Sequence, residues 1–230
     1  MKSITWLSPQ DAPEWFPPLE QALEEPAGLL AAGGDLSPQR LLAAYRRGIF
    51  PWYSPGQPVL WWSPDPRAVL FPDEFHCSRS LAKRLRHGGF EASLDRDFAA
   101  VIDGCATPRA ASPGTWITAE MRAAYLALHR LGAAHSIEIS HDGVLSGGLY
   151  GVRLGGVFFG ESMFSRERDA SKAALAHLVA VCQRNGLAVI DCQLPSRHLL
   201  SLGARTIPRS QFQALLREHV DSAAAALATP

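Results

Sequence analysis

Three polar side chains stand inside or at the end of strongly apolar stretches of this sequence. Glu161 interrupts the run from Val157 to Phe164, and Asp191 and Gln193 close the run that begins at Leu187. Acids are seldom buried unless they are paired or used in chemistry, so both carboxylates need an explanation. Side chains alternate along a strand, which predicts that Asp191 and Gln193 share one face and set a carboxylate beside an amide.

The same residues also allow a structural explanation. Asp191 could cap the helix that follows it, and Glu161 could pair with an arginine. Strict alternation puts Phe159, Glu161 and Met163 on one face of their strand, but a bulge at Gly160 would break that register. The residue types alone leave the catalytic and the structural interpretations open.

A thiol and an imidazole lie close to these residues and allow a second enzymatic hypothesis. Cys192 and His198 have the chemistry of a cysteine hydrolase. Alternation turns Cys192 away from Asp191 and Gln193, however, and nothing nearby marks its thiol as activated. The pattern therefore disfavours a thiol nucleophile.

The elements that must position these residues form a predicted β-α-β unit. Val157 to Phe164 is rich in aromatic and β-branched residues and predicts a buried strand. A helix is predicted from Ala170 to the Asn185-Gly186 stop, and Leu187 to Cys192 predicts a central strand. Apolar residues recur along the helix at spacings of three and four: Ala173, Ala174, Leu175, Leu178, Val181 and Cys182.

Bulk composition indicates an ordinary globular chain. It has 230 residues, of which 47% are hydrophobic and 19% charged, and its formal net charge is zero. This balance argues against a polycation but does not exclude a local basic patch. The four cysteines include no CxxC pair, so neither a zinc site nor a disulfide framework is indicated. We expect a cytoplasmic protein without export or membrane insertion, since no signal sequence or long apolar window is found.

The first 64 residues predict a small N-terminal domain, followed by a larger domain over 65–230. Prolines and tryptophans crowd residues 1–36, where little regular structure is expected. A helix is predicted from the Ser37-Pro38 start to Gly48. A rigid loop with Trp52, Trp61 and Trp62 then leads to the boundary.

A predicted helix over Ser78 to His87 carries four cations and no acid. Arg79, Lys83 and Arg86 fall on one side at spacings of three and four, with Arg84 beside them. Such a cluster is either a solvated helix face or a phosphate-binding surface, and the helix alone does not decide between them.

The remaining pattern predicts the fold class. It comprises a strand at 90–94, helices at 95–103 and 118–131, a hairpin around Asp142-Gly143, the β-α-β unit, helices at 195–202 and 210–220, and a frayed tail from 223. This order predicts a mixed α/β (α+β) sheet with helices on both faces. It resembles the acetyl-coenzyme A dependent N-acetyltransferase fold, the GNAT-like fold. The turn from Ser165 to Asp169 lacks the glycines of that family's cofactor loop, so we expect an acyl donor other than coenzyme A.

Several long motifs carry a more specific resemblance. They are GLLAAGGDLSPQRLLAAYRRGIFPWYSPGQPVLWWSPDPR, TWIT, AYxxLH at 124–129, GGLYGV, GESMFS, ASKAAL and IDCQLPSRHLLSLGA. Together they resemble the leucyl/phenylalanyl-tRNA–protein transferases over roughly residues 29–207. The resemblance implies a monomeric cytoplasmic enzyme without metal or cofactor. It implies transfer of leucine or phenylalanine, and less readily methionine, from Leu-tRNA or Phe-tRNA to proteins beginning with arginine or lysine, which creates an N-terminal degradation signal.

The resemblance also implies roles for individual residues. Asp191 would polarise or orient Gln193, whose amide carbonyl holds the attacking amine, and Glu161 would favour a cationic acceptor terminus. Trp52 and Trp116 would contact the terminal adenosine. The aminoacyl pocket would comprise Phe158, Met163, Leu175, Leu178 and Ile190, and the tRNA phosphates would meet Arg79, Lys83, Arg84 and Arg86. This sequence departs from the family pattern at Leu178, where some relatives carry an aromatic residue.

One alternative of another class is a non-catalytic RNA-binding module. Its aromatic and arginine side chains would hold the ends of tRNA without transferring anything. Binding of tRNA is expected under both hypotheses, so transfer of labelled phenylalanine to an arginine-starting peptide is the measurement that separates them.

Overall fold

The N-terminal part of the chain forms a small four-stranded sheet. This computed structural model describes residues 3–107, 115–223 and 227. The strands of the small sheet are β1 (Thr5–Leu7), β2 (Leu29–Gly33), β3 (Phe50–Pro51) and β4 (Leu60–Trp62), in the order β1-β2-β4-β3. The expectation of little regular structure in residues 1–36 was therefore wrong for β1 and β2. Strands this short carry almost no period-two signal among the prolines, and their pairing with each other and with β4 stabilises them.

The later part of the described chain contains a seven-stranded mixed sheet. Its strands are β5 (Arg67–Leu70), β6 (Phe90–Leu94), β7 (Ala134–His141), β8 (Val144–Leu154), β9 (Val157–Ser165), β10 (Val189–Gln193) and β11 (Arg205–Ile207). The spatial order is β11-β5-β10-β9-β8-β7-β6. Strands β9 and β10 pair in parallel across the sheet centre, and the other pairs of this sheet are antiparallel.

Seven α-helices accompany the two sheets within the described ranges. They are α1 (Pro38–Arg46), α2 (Arg79–His87), α3 (Phe98–Ala106), α4 (Ala119–Arg130), α5 (Ala170–Arg184), α6 (Arg197–Ser201) and α7 (Arg209–His219). The predicted fold class is confirmed, since a mixed sheet is flanked by helices on both faces and follows a small N-terminal region. None of the helices in residues 3–107 and 115–223 has the length and apolar content to cross a bilayer.

Local sequence signals account for most of the helix and turn boundaries. Hydroxyls at Ser37, Ser78 and Thr118 accept hydrogen bonds from backbone N–H groups in the first turns of α1, α2 and α4. Asp142 and Gly143 both adopt positive φ, at 50° and 74°, as a type I′ hairpin turn requires. Helix α3 begins at Phe98 instead of the predicted Asp95. Asp97 caps it through a 2.9 Å bond from the Ala100 N–H.

Two clusters of buried side chains cover the two faces of the large sheet. One contains residues of α5, together with Phe158, Leu149 and Ile190. The other contains residues of α1, α3, α4 and α7 and continues into the small sheet. The chain passes between the sheets from Trp62 to Arg67. Because one buried cluster joins the sheets, the division into 1–64 and 65–230 stays a prediction.

Candidate active site

The two parallel strands at the sheet centre separate after a short paired stretch. Pairing runs from Val157 opposite Val189 to Phe159 opposite Asp191. On β9, Glu161 is the extra residue between the positions opposite Tyr150 and Gly151 of β8. Such a bulge bends its strand and disrupts the ladder locally. The opening between β9 and β10 therefore begins where the polar residues stand.

Strand β10 carries a bulge of its own at the same level. Asp191 lies opposite Val69 of β5 and Gln193 lies opposite Ala68, so Cys192 is the extra residue. Gln193 adopts the left-handed region at φ 58°, which is uncommon for a residue with a side chain. Each of the two separating strands is thus bent next to a residue with catalytic potential.

The β9 bulge changes which side chains share a face. Phe159 and Phe164 belong to the cluster on the α3 and α4 side, whereas Phe158 and Met163 pack on the α5 side. The expectation from strict alternation, with Phe159 and Met163 on one face, was wrong. The bulge that the sequence allowed at Gly160 is the arrangement found, with Glu161 as its extra residue.

A cavity of about 840 Å³ occupies the opening between β9 and β10. Its apolar lobe, on the α5 side, is formed by Leu149, Met163, Leu175, Leu178, Ile190 and Leu199. Its tyrosine lobe, on the α3 and α4 side, is formed by Gly104, Trp116, Tyr150, Glu161 and Phe164. Known small-molecule sites span about 300 to 1,000 Å³, so this cavity has room for more than one chemical group.

A chain of hydrogen bonds runs through the cavity wall to Gln193. The hydroxyls of Tyr45 and Tyr125 lie 2.6 Å apart, and Tyr125 donates to Glu161 Oε2 at 2.6 Å. Gln193 donates its side-chain N–H to Glu161 Oε1 at 3.0 Å. Because Tyr125 has one hydroxyl proton and gives it to Glu161, Tyr45 must donate to Tyr125. Both oxygens of Glu161 thus accept a hydrogen bond from a fixed neighbour.

Burial controls the protonation of Glu161. Removal from water raises the pKa of its carboxyl to about 7, and the nearby Asp191 charge acts in the same direction. The hydrogen bond from Tyr125, the nearby hydroxyl of Tyr45 and the charge of Arg67 oppose this rise in pKa. A carboxyl with this pKa exists in both protonation states at neutral pH, as proton transfer requires.

Asp191 is fully buried, as the sequence predicted, but its partner, Arg67, was not predicted. Its carboxylate accepts hydrogen bonds from Arg67 Nε at 2.8 Å and Nη2 at 2.6 Å. Both side chains are at most 1% exposed. Asp191 Oδ1 also accepts the backbone N–H of Gln193 at 3.0 Å. The contact between Asp191 and Gln193 therefore runs through the backbone of Gln193.

Neither structural explanation that the sequence allowed for the two acids is found. Helix α6 is capped by Ser196, whose hydroxyl accepts the Leu199 N–H at 3.2 Å, so Asp191 is not its cap. Arginine pairs with Asp191 and not with Glu161, whose bonded neighbours in the described residues are Tyr125 and Gln193.

Cys192 and His198 both line the cavity without forming a nucleophile and base pair. The Cys192 thiol lies 3.9 Å from the Ile190 carbonyl oxygen, and burial followed by the Asp191 charge raises its pKa well above the ordinary value. His198 Nε2 is buried without a hydrogen-bond partner in the described ranges. Cys192 packs toward the α5 side, away from Asp191, yet it reaches the cavity because the cavity passes between the strands. The cysteine hydrolase hypothesis has no geometric support.

A second, smaller cavity of about 140 Å³ adjoins the first one. Trp52 and Trp116 line it together with Phe50, Pro51 and Leu194, and it shares Glu161, Cys192 and Gln193 with the large cavity. Trp52 is 42% exposed, and its ring centre lies 5.6 Å from that of Trp62. The two tryptophans named from the sequence thus meet at one opening beside Gln193.

Four of the five residues named for the aminoacyl pocket line the apolar lobe: Met163, Leu175, Leu178 and Ile190. The fifth, Phe158, is 1% exposed and lies in the buried cluster beneath the lobe. It does not line the cavity wall, and its ring packs against Gly151, where an added Cβ would lie 2.5 Å from it.

The basic helix α2 is connected to the cavity rim. Arg79, Lys83 and Arg86 are exposed. Arg84 is half-buried, pairs with Glu167 at 3.4 Å and lies over the Phe90 ring at 4.4 Å. Glu167 belongs to the turn before α5, where Ser146 donates to it at 2.6 Å. Arg84 therefore attaches the helix, while the other three cations face solvent.

The turn from Ser165 to Asp169 supplies its own oxygen atoms to the first amides of α5. Ser165 Oγ accepts the Ser171 N–H at 3.1 Å, and the Glu167 carbonyl oxygen accepts the Ala170 N–H at 3.2 Å. No group of three or more His, Cys, Asp and Glu residues within the described part of the chain is arranged to hold a metal ion.

Sequence reasoning missed four residues of this site: Tyr45, Arg67, Tyr125 and Tyr150. All four lie within motifs that carried the family resemblance. Tyr45 and Arg67 belong to the long N-terminal motif, Tyr125 to AYxxLH and Tyr150 to GGLYGV. No local spacing links Tyr125 to Glu161 or Arg67 to Asp191, since these partners are 36 and 124 positions apart.

Comparison with known proteins gives consistent names along almost the whole chain. The family model described as leucyl/phenylalanyl-tRNA protein transferase matches residues 69–217, and the model of its N-terminal domain matches residues 34–65. A leucyl/phenylalanyl-tRNA–protein transferase of Stutzerimonas stutzeri is 60% identical over 223 residues, covering 97% of this chain and 98% of the relative. One of Azotobacter vinelandii is 61% identical over 206 residues, covering 90% and 91%.

Solved structures show only weak likeness. The structure of L-PGS from Bacillus licheniformis overlaps with 67% of this chain and 50% of its own, at 12% identity and a TM-score of 0.41. A GCN5-related N-acetyltransferase from Kribbella flavida overlaps with 71% and 58%, at 14% identity and a TM-score of 0.39. Both TM-scores are too low to carry a functional conclusion.

Proposed function

Given that this chain belongs to the leucyl/phenylalanyl-tRNA–protein transferase family and moves aminoacyl groups from tRNA to proteins, we propose that its acceptors are proteins whose first residue is arginine or lysine. The donors are leucyl- and phenylalanyl-tRNA, with methionyl-tRNA used less readily. The product carries a new apolar first residue and is thereby marked for degradation. The enzyme works as a monomer in the cytoplasm, where charged tRNA is present.

The observation that carries this proposal is the hydrogen bond between Glu161 and Gln193 at the mouth of two lobes of different chemistry. The apolar lobe suits the side chain of leucine or phenylalanine, because its wall is built from aliphatic and thioether groups. The opening between Trp52 and Trp116 suits a terminal adenosine, since aromatic planes stack on bases. An ester joining these two groups would lie beside Gln193.

The reaction needs a neutral amine and a place for its proton. The donor ester is already activated, so positioning supplies much of the acceleration. An α-amino group has an ordinary pKa of about 7.7 to 8.0, and much of it is therefore protonated at neutral pH. With its N–H committed to Glu161, Gln193 uses its carbonyl oxygen to accept a hydrogen bond from the incoming amine.

Glu161 is our choice for the group that receives the proton. The amine nitrogen forms a bond to the ester carbonyl carbon, and the bond from that carbon to the ribose oxygen breaks. The proton released by the amine moves to Glu161 and returns to the ribose oxygen, so that atoms and charge balance. Asp191 is unsuited to this task, because Arg67 and the Gln193 backbone enclose it. Its role is to fix Gln193.

The tRNA backbone is held by the exposed cations of α2. Arg79, Lys83 and Arg86 contact phosphates without reading sequence. Arg84 connects this helix to Glu167 and thus to the turn beside the cavity.

The decisive experiment is transfer of labelled phenylalanine from charged tRNA to a peptide that begins with arginine. A peptide of the same sequence with an acetylated first residue is the matched control, because it keeps the side chain and removes the nucleophile. We expect labelled product with the free peptide alone. Binding of charged tRNA without any transfer would support the RNA-binding module and contradict the proposed function.

A further inference from the structure

The tyrosine lobe contains a polar atom that the chain leaves unsatisfied. Tyr150 is 0% exposed and lines the large cavity. Its hydroxyl has no hydrogen-bond partner in residues 3–107 and 115–223. An unmade hydrogen bond at a buried group costs about 1 to 3 kcal/mol, so the position calls for a ligand.

The walls of the tyrosine lobe are largely aromatic. Trp116 and Phe164 line the same lobe, and the Tyr125 ring meets the Tyr150 ring edge to face with centres 5.3 Å apart. Aromatic faces attract cations, most strongly when the cation has lost its water. Glu161 lies at the entrance of the lobe. Burial, and to a smaller extent the charge of Glu161, raises the pKa of the Tyr150 phenol far above the ordinary value. The phenol is therefore neutral and free to accept a hydrogen bond.

Space in the lobe depends on the position of Phe164. A Cβ added at Gly104 of α3 would lie 2.6 Å from the Phe164 ring, so the ring packs directly against the helix backbone. Any larger residue at 104 would push that ring toward the cavity. One cation, Arg166, also lines the cavity, but it is exposed and donates to the Leu145 carbonyl oxygen at 3.0 Å, so solvent screens its charge.

We propose that the tyrosine lobe binds the cationic side chain of the acceptor's first residue, with Tyr150 as a specificity-determining residue whose hydroxyl accepts one of its N–H groups. The assignment rests on the proposed function, because it presumes that an acceptor amine lies between Gln193 and Glu161. From that point the acceptor side chain extends past Glu161 into the lobe. The apolar lobe, on the other face of the sheet, stays available to the donor.

The test is the kinetics of Tyr150→Phe with phenylalanyl-tRNA and an arginine-starting peptide. We expect the acceptor KM to rise about tenfold, the effect of losing one hydrogen bond to a charged group. The kcat at saturating acceptor and the KM for phenylalanyl-tRNA stay within about twofold, because the missing hydrogen bond is made to the acceptor alone. The melting temperature holds or rises, since the variant removes an unsatisfied hydroxyl. Tyr53→Phe is the matched control, because its hydroxyl lies 3.3 Å from Thr118 and lines neither cavity.

A second variant tests the lobe independently of the hydroxyl. Gly104→Ala should raise the acceptor KM by moving the Phe164 ring into the lobe, while donor KM is kept. An unchanged acceptor KM in Tyr150→Phe would overturn the assignment, and so would an equal change in donor KM or a fall in melting temperature. These results presuppose transfer by the unmodified enzyme. If that enzyme transfers nothing to any peptide, the proposed function itself has failed.

Discussion

Arg67 holds Asp191 with two hydrogen bonds, of 2.8 and 2.6 Å, between side chains that are almost completely buried. The rings of Phe50 and Phe212 lie 4.8 Å from the Arg67 guanidinium. The only other bond of the Asp191 carboxylate within the described residues goes to the Gln193 backbone N–H. The pair therefore fixes the position of the Gln193 backbone, and with it the reactive side-chain amide.

Removing one partner of this pair should lower the stability of the whole protein. Arg67→Met leaves a buried carboxylate without its counter-charge, and we expect a loss of about 3 to 5 kcal/mol in the free energy of unfolding. The double variant Arg67→Met, Asp191→Leu should recover most of that loss, since neither charge remains. Urea unfolding of both single variants and the double variant gives the coupling energy. Purely additive effects would contradict the buried pair.

Loss of Asp191 alone should affect turnover more than tRNA binding. In Asp191→Ala the backbone of Gln193 loses its anchor, while the cations of α2 stay in place. We expect kcat to fall by about tenfold for each 1.4 kcal/mol that the lost anchor adds to the activation free energy. The Kd for charged tRNA should stay unchanged. The measurement is single-turnover transfer beside a filter-binding titration. A parallel loss of tRNA affinity would make Asp191 a structural residue.

Glu161 should give the reaction a pH dependence that its glutamine variant lacks. As its pKa is about 7, the wild-type rate should rise as pH increases through 7 and Glu161 ionises. A second rise near pH 8 reflects the acceptor amine. Glu161→Gln should lose the lower step and keep the upper one. A lower step that persists in the variant would assign the proton to another group.

The same raised pKa makes a prediction about stability. The folded-state pKa of Glu161 lies above the ordinary value of 4.5, so its contribution is fully present below pH 4.5 and is lost as pH rises through about 7. The free energy of unfolding of Glu161→Gln minus that of wild type should thus rise by up to about 3 kcal/mol between these pH values. Urea titrations at pH 4.5 and 7.5 measure this difference. A constant difference would show that Glu161 is ordinarily hydrated.

The exposed cations of α2 should account for part of the salt dependence of tRNA binding. Replacing Arg79, Lys83 and Arg86 with alanine should reduce the slope of log K against log salt by roughly 0.7 to 0.9 for each phosphate that the variant no longer neutralises. A control variant removes the same charge from Arg96, Arg130 and Arg217, which are exposed on other parts of the chain. Equal slopes for the two triple variants would exclude α2 as the tRNA surface.

Trp116 should matter more for donor use than for folding. It is half-buried and lines both cavities, whereas Trp6 is 65% exposed and lines neither. Trp116→Ala should weaken donor binding by about 1 to 3 kcal/mol, the usual contribution of one stacked base. Trp6→Ala is the matched control. A large fall in melting temperature for Trp116→Ala, with an unchanged donor KM, would show that Trp116 stabilises the fold and does not bind the donor.

Much of the scaffold was predictable because its signals are local. Helix periodicity and the Asn185-Gly186 stop defined α5, and hydroxyl caps marked the starts of α1, α2 and α4. Like β1 to β4 of the small sheet, the short strands β5 and β11 escaped prediction. Three or four residues give too little period, and only their antiparallel pairing with each other, and that of β5 with β10, makes them strands.

The sequence by itself determined that Glu161 and Asp191 stand in buried strands on either side of one helix, because apolar periodicity and residue chemistry are properties of neighbouring residues. Only the tertiary structure decided what those acids do. Bulges at Glu161 and Cys192 depend on the register with β8 and β5, and they set which face each side chain meets. Arginine went to one acid and tyrosine to the other because strand pairing and helix packing joined residues that are remote along the chain.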